Sequence, residues 1–303
     1  MSHREPSGDA AAHHKTSLNS PKAQLAGLGL QAKRSFGQNF LSDINIARRI
    51  ASLATQPAGG TVIEIGAGLG ALTAPLLDRA SRVIAVERDR DLVPYLRERF
   101  AADVASGKLS VVEADAKSYD YAASFQAAAG PCVLTGNLPY QITGPLLELT
   151  VQLSAQIERA VYMVQLEVAE RITAAPGSKI YGALSVFVQA AFVTQRALVV
   201  KRGAFHPQPG VDSAVIVLER RDVPVALETD LFRKLVKDAF AARRKTLRNA
   251  WRGVGGDELD AAAAAAGIDL NLRGETLGVE AFAAMEQQLL VARGSASLVE
   301  AEP

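Results

Sequence analysis

Short apolar runs alternate with longer amphipathic stretches through the middle of the chain. The runs are rich in β-branched residues, have the length of buried strands, and lie at residues 61–67, 82–88, 108–115, 131–138 and 159–165. The stretches between them have the apolar spacing of helices. Such alternation favours a mostly parallel sheet with helices on both faces, which binds ligands at the carboxyl ends of its strands. We therefore predict an α/β, Rossmann-like domain.

The pattern changes in the last third of the chain. Two strand-like runs, 197–205 and 211–220, are joined only by residues 206–210, which predicts a terminal antiparallel hairpin. Beyond Pro224 the pattern is helical, and the helical stretches lie at about Leu231 to Trp251, at 258–266 and near 279–292. These stretches indicate a small all-helical C-terminal domain.

The beginning of the chain has a different composition. Residues 1–31 are rich in Ala, Ser, His and Gly and lack a sustained hydrophobic period, which is typical of a disordered tail. No motif in them indicates a function. The predicted organisation is a tail at 1–31, a cofactor-binding domain at 32–222 and a helical domain at 223–303.

Charge and composition exclude several classes of protein. The formal net charge of +1 gives no global sign of a polyanionic partner. Cys132 is the only cysteine, which excludes an internal disulfide and a multi-cysteine zinc site. No run of about 18 apolar residues is available for a membrane span. We expect a cytoplasmic protein without a bound metal, in which Cys132 and His206 are structural.

A glycine-rich turn follows the first predicted strand. Gly66, Gly68 and Gly70 allow the backbone to approach a bound nucleotide closely. This spacing fits dinucleotide-binding proteins as well as methyltransferases that use S-adenosylmethionine, and such a turn can also be purely structural. The glycines alone therefore leave the ligand open.

Two carboxylates end the next two strands. Glu87 lies 21 residues after Gly66, where its side chain can accept hydrogen bonds from both ribose hydroxyls of an adenosine group. Asp115 ends the third strand, where it can accept the amino group of the adenine. A solvated glutamate and a turn-capping aspartate are the structural interpretations of the same two residues. NAD and S-adenosylmethionine both remain compatible with these residues.

The fourth strand ends in a motif that separates the two ligands, Asn137-Leu138-Pro139-Tyr140. Adenine N6 is a poor nucleophile because its lone pair is delocalised into the ring, and acceptors aimed at its hydrogens favour the pyramidal nitrogen that attacks a methyl group. Asn137 supplies one acceptor, and the carbonyl of Leu138 or Pro139 supplies a second, since Pro139 restricts Leu138 to an extended shape. Tyr140 offers a stacking face worth roughly 1–3 kcal/mol per base.

Together these motifs resemble the ribosomal small-subunit RNA adenine dimethyltransferases of the kasugamycin-sensitivity type. The resemblance covers about residues 32–292 and includes, besides the glycine turn and the motif at 137–140, the segments at 33–41, 166–171, 181–186, 205–213 and 243–246. It implies a class I methyltransferase fold and an S-adenosylmethionine donor. It further implies N6,N6-dimethylation of two adjacent adenines near the 3′ end of small-subunit (16S) ribosomal RNA, within a partly assembled subunit during its biogenesis.

The same resemblance assigns roles to individual residues. Asn39 and Leu41 are expected to close over the cofactor, with Gly66 beneath it. Glu87 is expected on the ribose and Asp115 on the cofactor's adenine, while Asn137 lies between the methionine group and the target base. The aromatic walls for that base are expected to be Tyr140 and Phe205.

Positive charge is concentrated in one segment of the predicted helical domain. Eight basic residues lie between Arg233 and Arg252, against one acidic residue, Asp238. This density is typical of phosphate contacts, although a solvated helix face would have the same composition. The predicted RNA-binding residues are Arg243, Arg244, Lys245 and Arg248.

Three alternatives to this function remain open at this point. A large-subunit RNA adenine methyltransferase of the macrolide-resistance type shares the cofactor and Asn-Leu-Pro-Tyr motifs, and the segments at 181–186 and 205–213 favour the small-subunit family over it. The second is a non-catalytic ribosome assembly factor, and the third is a dehydrogenase. We expect a monomer whose partner is small-subunit ribosomal RNA.

Overall fold

A seven-stranded sheet forms the centre of the protein, whose computed structural model describes residues 20–56, 59–128, 130–241 and 244–299. In chain order, the strands of the described residues are β1 (Phe40–Leu41), β2 (Thr61–Ile65), β3 (Arg82–Glu87), β4 (Leu109–Glu113), β5 (Cys132–Asn137), β6 (Arg159–Gln165), β7 (Phe192–Val200), β8 (Phe205–His206) and β9 (Ser213–Arg220). The order in the sheet is β4-β3-β2-β5-β6-β9-β7. Strands β2 to β6 are parallel, and β9 is antiparallel to both β6 and β7.

Helices cover both faces of this sheet. Numbered along the chain, they are α1 (Pro21–Gly27), α2 (Ile44–Ala54), α3 (Thr73–Leu77), α4 (Leu92–Arg99), α5 (Ala101–Ala105), α6 (Tyr121–Gln126), α7 (Thr143–Gln152), α8 (Leu166–Ile172), α9 (Ala183–Ala191), α10 (Asp230–Ala241), α11 (Leu247–Gly255), α12 (Leu259–Ala265) and α13 (Val279–Val299). Neighbouring residues of β2, Val62 and Ile63, are both fully buried but belong to different apolar clusters. Successive side chains of a strand point to opposite faces, so each cluster fills one face.

The C-terminal helices form a third apolar cluster. Trp251 and Phe282 are fully buried with ring centroids 6.0 Å apart, and the indole N–H of Trp251 donates to the Leu235 carbonyl at 2.8 Å. Tyr181 and Phe187, which lie before and within α9, belong to the same cluster. The helical region is therefore joined to the sheet region by shared apolar packing.

The terminal hairpin forms with a different first strand from the one predicted. The sequence predicted 197–205, whereas β7 spans Phe192–Val200. The chain then leaves the sheet, and Phe205 pairs with Leu41 in the short two-stranded sheet β1–β8. The apolar run at 197–205 therefore contributes residues to two sheets. The hydrophobic pattern continues through both parts, so by itself it predicted a single strand.

Two more stretches differ from the sequence prediction. The amphipathic segment from Leu231 to Trp251 is two helices, α10 and α11, because Thr246 is extended (φ −74°, ψ 161°) and begins a new helix. Within the predicted tail, residues 21–27 form α1, whose Leu25 is 5% exposed and packs with Phe40, Leu69 and Leu92. Residues 1–19 lie outside the described residues. Among the described helices none is long and apolar enough to cross a membrane.

Candidate active site

A cleft opens at the carboxyl ends of β2 to β5. Its volume is about 1200 Å³ including the open mouth, which is large enough for a nucleoside-sized ligand. The residues predicted to bind the cofactor or the base that line it are Asn39, Leu41, Gly66, Glu87, Asp115, Asn137, Leu138, Pro139 and Tyr140. The topology brings these side chains together from separate stretches of the chain, as expected for a parallel sheet.

The glycine turn forms the floor of the cleft. Gly66, Gly68 and Gly70 have φ values of 73°, 58° and 78°, a backbone region that favours glycine. A Cβ atom on Gly70 would lie 2.6 Å from the Phe100 ring, so this turn needs glycine for packing as well as for conformation. At Gly66 the nearest atom to an added Cβ is the Asn137 carbonyl oxygen at 3.9 Å, which leaves the floor open there.

Glu87 is held rigidly beside this turn. It is 6% exposed, and its two carboxylate oxygens accept the backbone N–H groups of Gly68 and Asp89, each at 2.7 Å. Burial raises the pKa of Glu87, although these backbone bonds act against the rise. Each carboxylate oxygen can accept a further hydrogen bond, so the group is fixed in place and still able to bind a hydroxyl.

Glu64 is a second buried carboxyl group of the cleft, to which sequence reasoning gave no role. It is 1% exposed and accepts the Thr73 hydroxyl at 2.6 Å. Burial raises its pKa to about 8; the Thr73 bond lowers this value and the nearby Glu87 charge raises it. Its position directly before the glycine turn was the only signal in the sequence.

Asp115 combines the two roles considered for it. One carboxylate oxygen accepts the Lys117 backbone N–H at 3.0 Å, as a turn cap does, and the second oxygen lies 3.5 Å from an Arg88 nitrogen. Arg88 also lies over the Phe36 ring, 4.9 Å from its centroid. Asp115 therefore faces the cleft while its orientation is fixed by its own turn and by Arg88.

A strap of residues 33–41 covers one side of the cleft. Lys33 forms ion pairs with Asp89 and, at 2.6 Å, with Asp91, and Gln38 donates to Asp89 at 2.7 Å. Burial raises the pKa of Asp89, but the bonds from Lys33 and Gln38 outweigh burial and keep that pKa below its ordinary value. The strap is thus fastened to the loop that follows β3, two residues beyond Glu87.

The motif after β5 presents two hydrogen-bond acceptors. The Asn137 side chain meets the Asn39 carbonyl at 2.8 Å, and since a carbonyl only accepts, the amide nitrogen of Asn137 must be the donor. Its side-chain oxygen then has no hydrogen-bond partner among the described residues. The Pro139 carbonyl accepts Ile142 N–H at 3.1 Å and the Thr143 hydroxyl at 3.0 Å. The Leu138 carbonyl accepts no such bond within the described part of the chain, so it is the second available acceptor.

The two predicted aromatic walls have different surroundings. Tyr140 lines the cleft, is half-buried, and its hydroxyl lies 2.9 Å from the Ser213 hydroxyl. Phe205 is 5% exposed, packs in the apolar cluster that contains Leu41, and does not line the cleft among the described residues. The stacking role of Phe205 stays a prediction, which requires its ring to turn out of this cluster.

Comparison with known proteins decides the family. The sequence model of the family described as "Ribosomal RNA adenine dimethylase" matches residues 29–289. A protein named "Ribosomal RNA small subunit methyltransferase A" from Anaeromyxobacter sp. (strain K) is 45% identical over 282 residues, which cover 89% of this chain and 98% of the relative. The chain belongs to the ribosomal RNA adenine dimethylase family. A protein of the same name from Geobacter sulfurreducens is 40% identical over 89% of this chain and all of the relative.

Solved structures agree with the predicted class I methyltransferase fold. A dimethyladenosine transferase from Plasmodium falciparum has a TM-score of 0.69 and 24% identity, covering 85% of this chain and 98% of its own, which supports the fold alone. The 23S rRNA methyltransferase ErmE has a TM-score of 0.64 and 27% identity, covering 83% and 99%. The family and fold predictions are confirmed, and the large-subunit reaction is not favoured because the small-subunit relatives are more similar in sequence.

Two further segments of the family resemblance connect the parts of the structure. Segment 166–171 lies in α8, where the Arg171 carbonyl accepts the Ser185 hydroxyl at 2.5 Å. Ser185 also accepts the Gly182 backbone N–H at 3.1 Å, so segment 181–186 begins α9 and ties it to α8. Tyr181 in the same segment packs on Phe240 of the helical region.

The described basic residues of the helical region have different surroundings. Arg233 contacts the sheet region, because it lies 3.8 Å from Glu148 of α7 and over the Phe187 ring of α9. It also pairs with Glu228. Among the predicted RNA-binding residues, Arg244 and Lys245 are exposed, and Arg248 pairs with exposed Asp260 at 2.7 Å. Arg243 lies outside the described residues.

Proposed function

We propose that this protein transfers methyl groups from S-adenosylmethionine to N6 of adenines in small-subunit ribosomal RNA and produces N6,N6-dimethyladenine. The observation that supports it best is the pair of available acceptors at Asn137 and Leu138, beside a cleft that also contains Glu87 and Asp115. An amino group has two hydrogens, and two fixed acceptors match them. Membership of the adenine dimethylase family supports the same base and the same reaction class.

The residues of the cleft fit the proposed methyl donor. Glu87 would bind the ribose hydroxyls, Asp115 the adenine amino group, and the open backbone at Gly66 would lie beneath the methionine part. Asn39 and Leu41 belong to the strap and would close over the bound molecule. The donor supplies a sulfonium methyl group, an electrophile that no side chain of the protein provides. The residues of the chain would therefore act by positioning both the donor and the base.

The two acceptors would orient the amino group of the adenine for methyl transfer. When the N6 hydrogens bond to the Asn137 side-chain oxygen and the Leu138 carbonyl, the nitrogen lone pair is directed towards the methyl group instead of into the ring. Neither acceptor needs a shifted pKa. The new N–C bond forms as the S–C bond of the donor breaks and leaves a thioether, and the positively charged N6 then releases one proton to water. N6 keeps a single hydrogen, which one of the two acceptors can still hold, so the same site can accept the second methyl group.

The target adenine would have to leave its stack to reach this site. A base in an A-form duplex has its N6 edge in a deep, narrow groove, so loop nucleotides are the expected substrates. Tyr140 would stack on the flipped base, with Phe205 as its second wall if that ring turns outward. Residues 223–303, with Arg243, Arg244, Lys245 and Arg248, would bind phosphates of the surrounding RNA.

We further propose two adjacent adenines near the 3′ end of 16S ribosomal RNA as the target, in a partly assembled small subunit. The names of the curated relatives, which specify the small subunit, support this choice. The test is to incubate the protein and labelled S-adenosylmethionine with unmethylated small subunits, and with large subunits as a control. Label in small-subunit RNA, found as dimethyladenosine on nucleoside analysis, is the expected result. Label confined to large subunits would support the macrolide-resistance reaction, and no label on either would support a non-catalytic assembly factor.

A further inference from the structure

Ser213 makes a buried hydrogen bond to the aromatic ring that faces the proposed base. It is the first residue of β9, is fully buried, and its hydroxyl lies 2.9 Å from the Tyr140 hydroxyl. It does not line the cleft among the described residues, so it cannot itself touch a substrate there. The side-chain contact by which Ser213 reaches the cleft is its bond to Tyr140.

The backbone holds Ser213 in a fixed position. It pairs with Gln165 of β6 on one side and with Val200 of β7 on the opposite side. The preceding residue, Asp212, accepts the Lys201 ammonium at 2.8 Å and the Arg202 backbone N–H at 3.0 Å. Ser213 is thus a rigid anchor at the cleft end of the sheet.

Tyr140 needs such an anchor because its own segment is short. It begins a single turn of 3-10 helix, Tyr140–Ile142, directly after Pro139. The Tyr140 hydroxyl lies at the far end of the ring, on the axis of the second side-chain rotation, so a hydrogen bond there fixes the first rotation and with it the position of the ring. Burial raises the pKa of the Tyr140 hydroxyl, so it stays protonated and able to take part in this bond.

We infer that Ser213 is a positioning residue for methyl transfer, which holds the Tyr140 ring in place against the target adenine. This inference rests on the proposed function, since it needs a base stacked on Tyr140. Without the bond the ring would sample different orientations and the adenine N6 would be misplaced relative to the methyl group. Small misplacements of reacting groups reduce rates strongly, so we expect Ser213→Ala to lower kcat by about tenfold.

A double-mutant cycle tests this coupling. Tyr140→Phe removes the same bond from its second partner and keeps the stacking ring, so it should also lower kcat by about tenfold. If the bond is the shared cause, the double variant should lose no more than either single variant. Each variant should bind S-adenosylmethionine with an affinity within about twofold of wild type, because Ser213 does not line the cleft and the Tyr140 hydroxyl is already bonded to Ser213.

A second pair of hydroxyls gives a matched control. Tyr162 and Thr150 are also 2.9 Å apart, but they are buried in the core and neither lines the cleft among the described residues. Tyr162→Phe should lower the Tm without changing kcat.

The outcomes separate this inference from the proposed function. If wild type fails to methylate small subunits, the proposed function fails. If wild type is active and Ser213→Ala keeps its full kcat, or the two losses multiply to about a hundredfold, Ser213 does not act through Tyr140. Equal loss of cofactor affinity and kcat would also overturn the inference and make Ser213 a general structural residue. Should Ser213→Ala fail to fold, Tyr140→Phe alone decides whether the bond contributes to kcat.

Discussion

Three polar side chains of the cleft, those of Glu87, Asp115 and Asn137, are each held in place by hydrogen bonds to the protein itself. Glu87, Asp115 and Asn137 were placed by the rule that ligand groups follow the strands of a parallel sheet, and the structure brings all three to one cleft. The orientation of Asn137 and the choice of the Leu138 over the Pro139 carbonyl depend on tertiary hydrogen bonds. Ser213 belongs to the family segment at 205–213, but its bond to Tyr140 gave no signal, because the two residues lie 73 positions apart along the chain.

Replacing Glu87 should separate ribose binding from the rest of the site. Glu87→Gln removes a charged acceptor and leaves one of the Gly68 and Asp89 N–H groups poorly paired. A hydrogen bond to a charged group contributes roughly 1.5–3 kcal/mol, so the Kd for S-adenosylmethionine should rise by about 10- to 100-fold, measured by calorimetry. Because burial raises the pKa of Glu87, wild-type affinity should begin to fall at a higher pH than for an ordinary glutamate, and this loss on acidification should be absent in the variant.

Glu113 provides the control for this substitution. It pairs in register with Glu87 from the end of β4, is exposed, and does not line the cleft. Glu113→Gln should leave the Kd unchanged. Unchanged affinity in Glu87→Gln would remove Glu87 from the site.

Glu64 should make the protein less stable as pH rises. Its pKa is about 8 in the folded protein against 4.5 as the reference, so between these values the folded state binds more protons than the unfolded state. The free energy of unfolding must then fall with pH by up to about 1.4 kcal/mol per pH unit from this group. Glu64→Gln cannot ionise, so its stability relative to wild type should increase across this window, measured by urea unfolding. A difference independent of pH would mean that Glu64 is already ionised in the fold.

Helix α1 is an element that the hydrophobic pattern of the sequence did not predict. Seven residues are too few for a visible hydrophobic period, and the helix depends on contacts made by Leu25 and Gln24. Gln24 accepts the Tyr95 hydroxyl at 2.9 Å and an Arg99 nitrogen at 3.2 Å, and Arg99 also donates to the Leu69 carbonyl within the glycine turn. By contrast, β2 to β6 were predicted to within two residues at each end, since buried parallel strands are continuous apolar runs.

This packing predicts that α1 supports the cofactor site from outside. Leu25 contacts the same cluster as Phe40 and Leu69, which both line the cleft. Leu25→Ala should destabilise the fold by about 2–3 kcal/mol, and coupling through packed side chains of roughly 0.5–2 kcal/mol should raise the cofactor Kd by about 2- to 30-fold. Leu289→Ala in α13, which removes an equally buried leucine from the helical region, should lower the Tm and leave the Kd unchanged. Equal Kd values in both variants would make α1 a stability element only.

Over the whole molecule, the position of each charged residue matters more than the net charge. The chain has 33 basic and 32 acidic residues, so attraction to RNA must come from local groups. Sequence density suggested one basic surface between Arg233 and Arg252, but the structure uses Arg233 to join the helical and sheet regions. The density of basic residues along the chain cannot distinguish a residue that binds RNA from one that joins two regions. Ion pairs with acidic residues distant in the sequence decide which cations face solvent.

The remaining exposed cations should determine the salt dependence of RNA binding. A variant with Arg244, Lys245 and Arg248 all changed to Gln should bind small-subunit RNA more weakly. The slope of log K against log salt is negative, and each lost phosphate contact reduces its magnitude by roughly 0.7–0.9. Loss of three contacts should therefore reduce the magnitude by about 2–3. The Arg248 pair with Asp260 should not reduce this effect much, since exposed ion pairs contribute about 0–1 kcal/mol.

A second triple variant distinguishes local contact from overall charge. Three other basic residues lie at the end of the sheet opposite the cleft, where β3 and β4 begin and β9 ends: Arg79, Lys108 and Arg220. Changing these three to Gln alters the net charge by the same amount as the first variant. If RNA binds at the helical region, only the first variant should flatten the salt dependence, because counterions are released where phosphates are bound. Equal slopes in the two variants would show that long-range charge, and not a docking surface in the helical region, attracts the RNA.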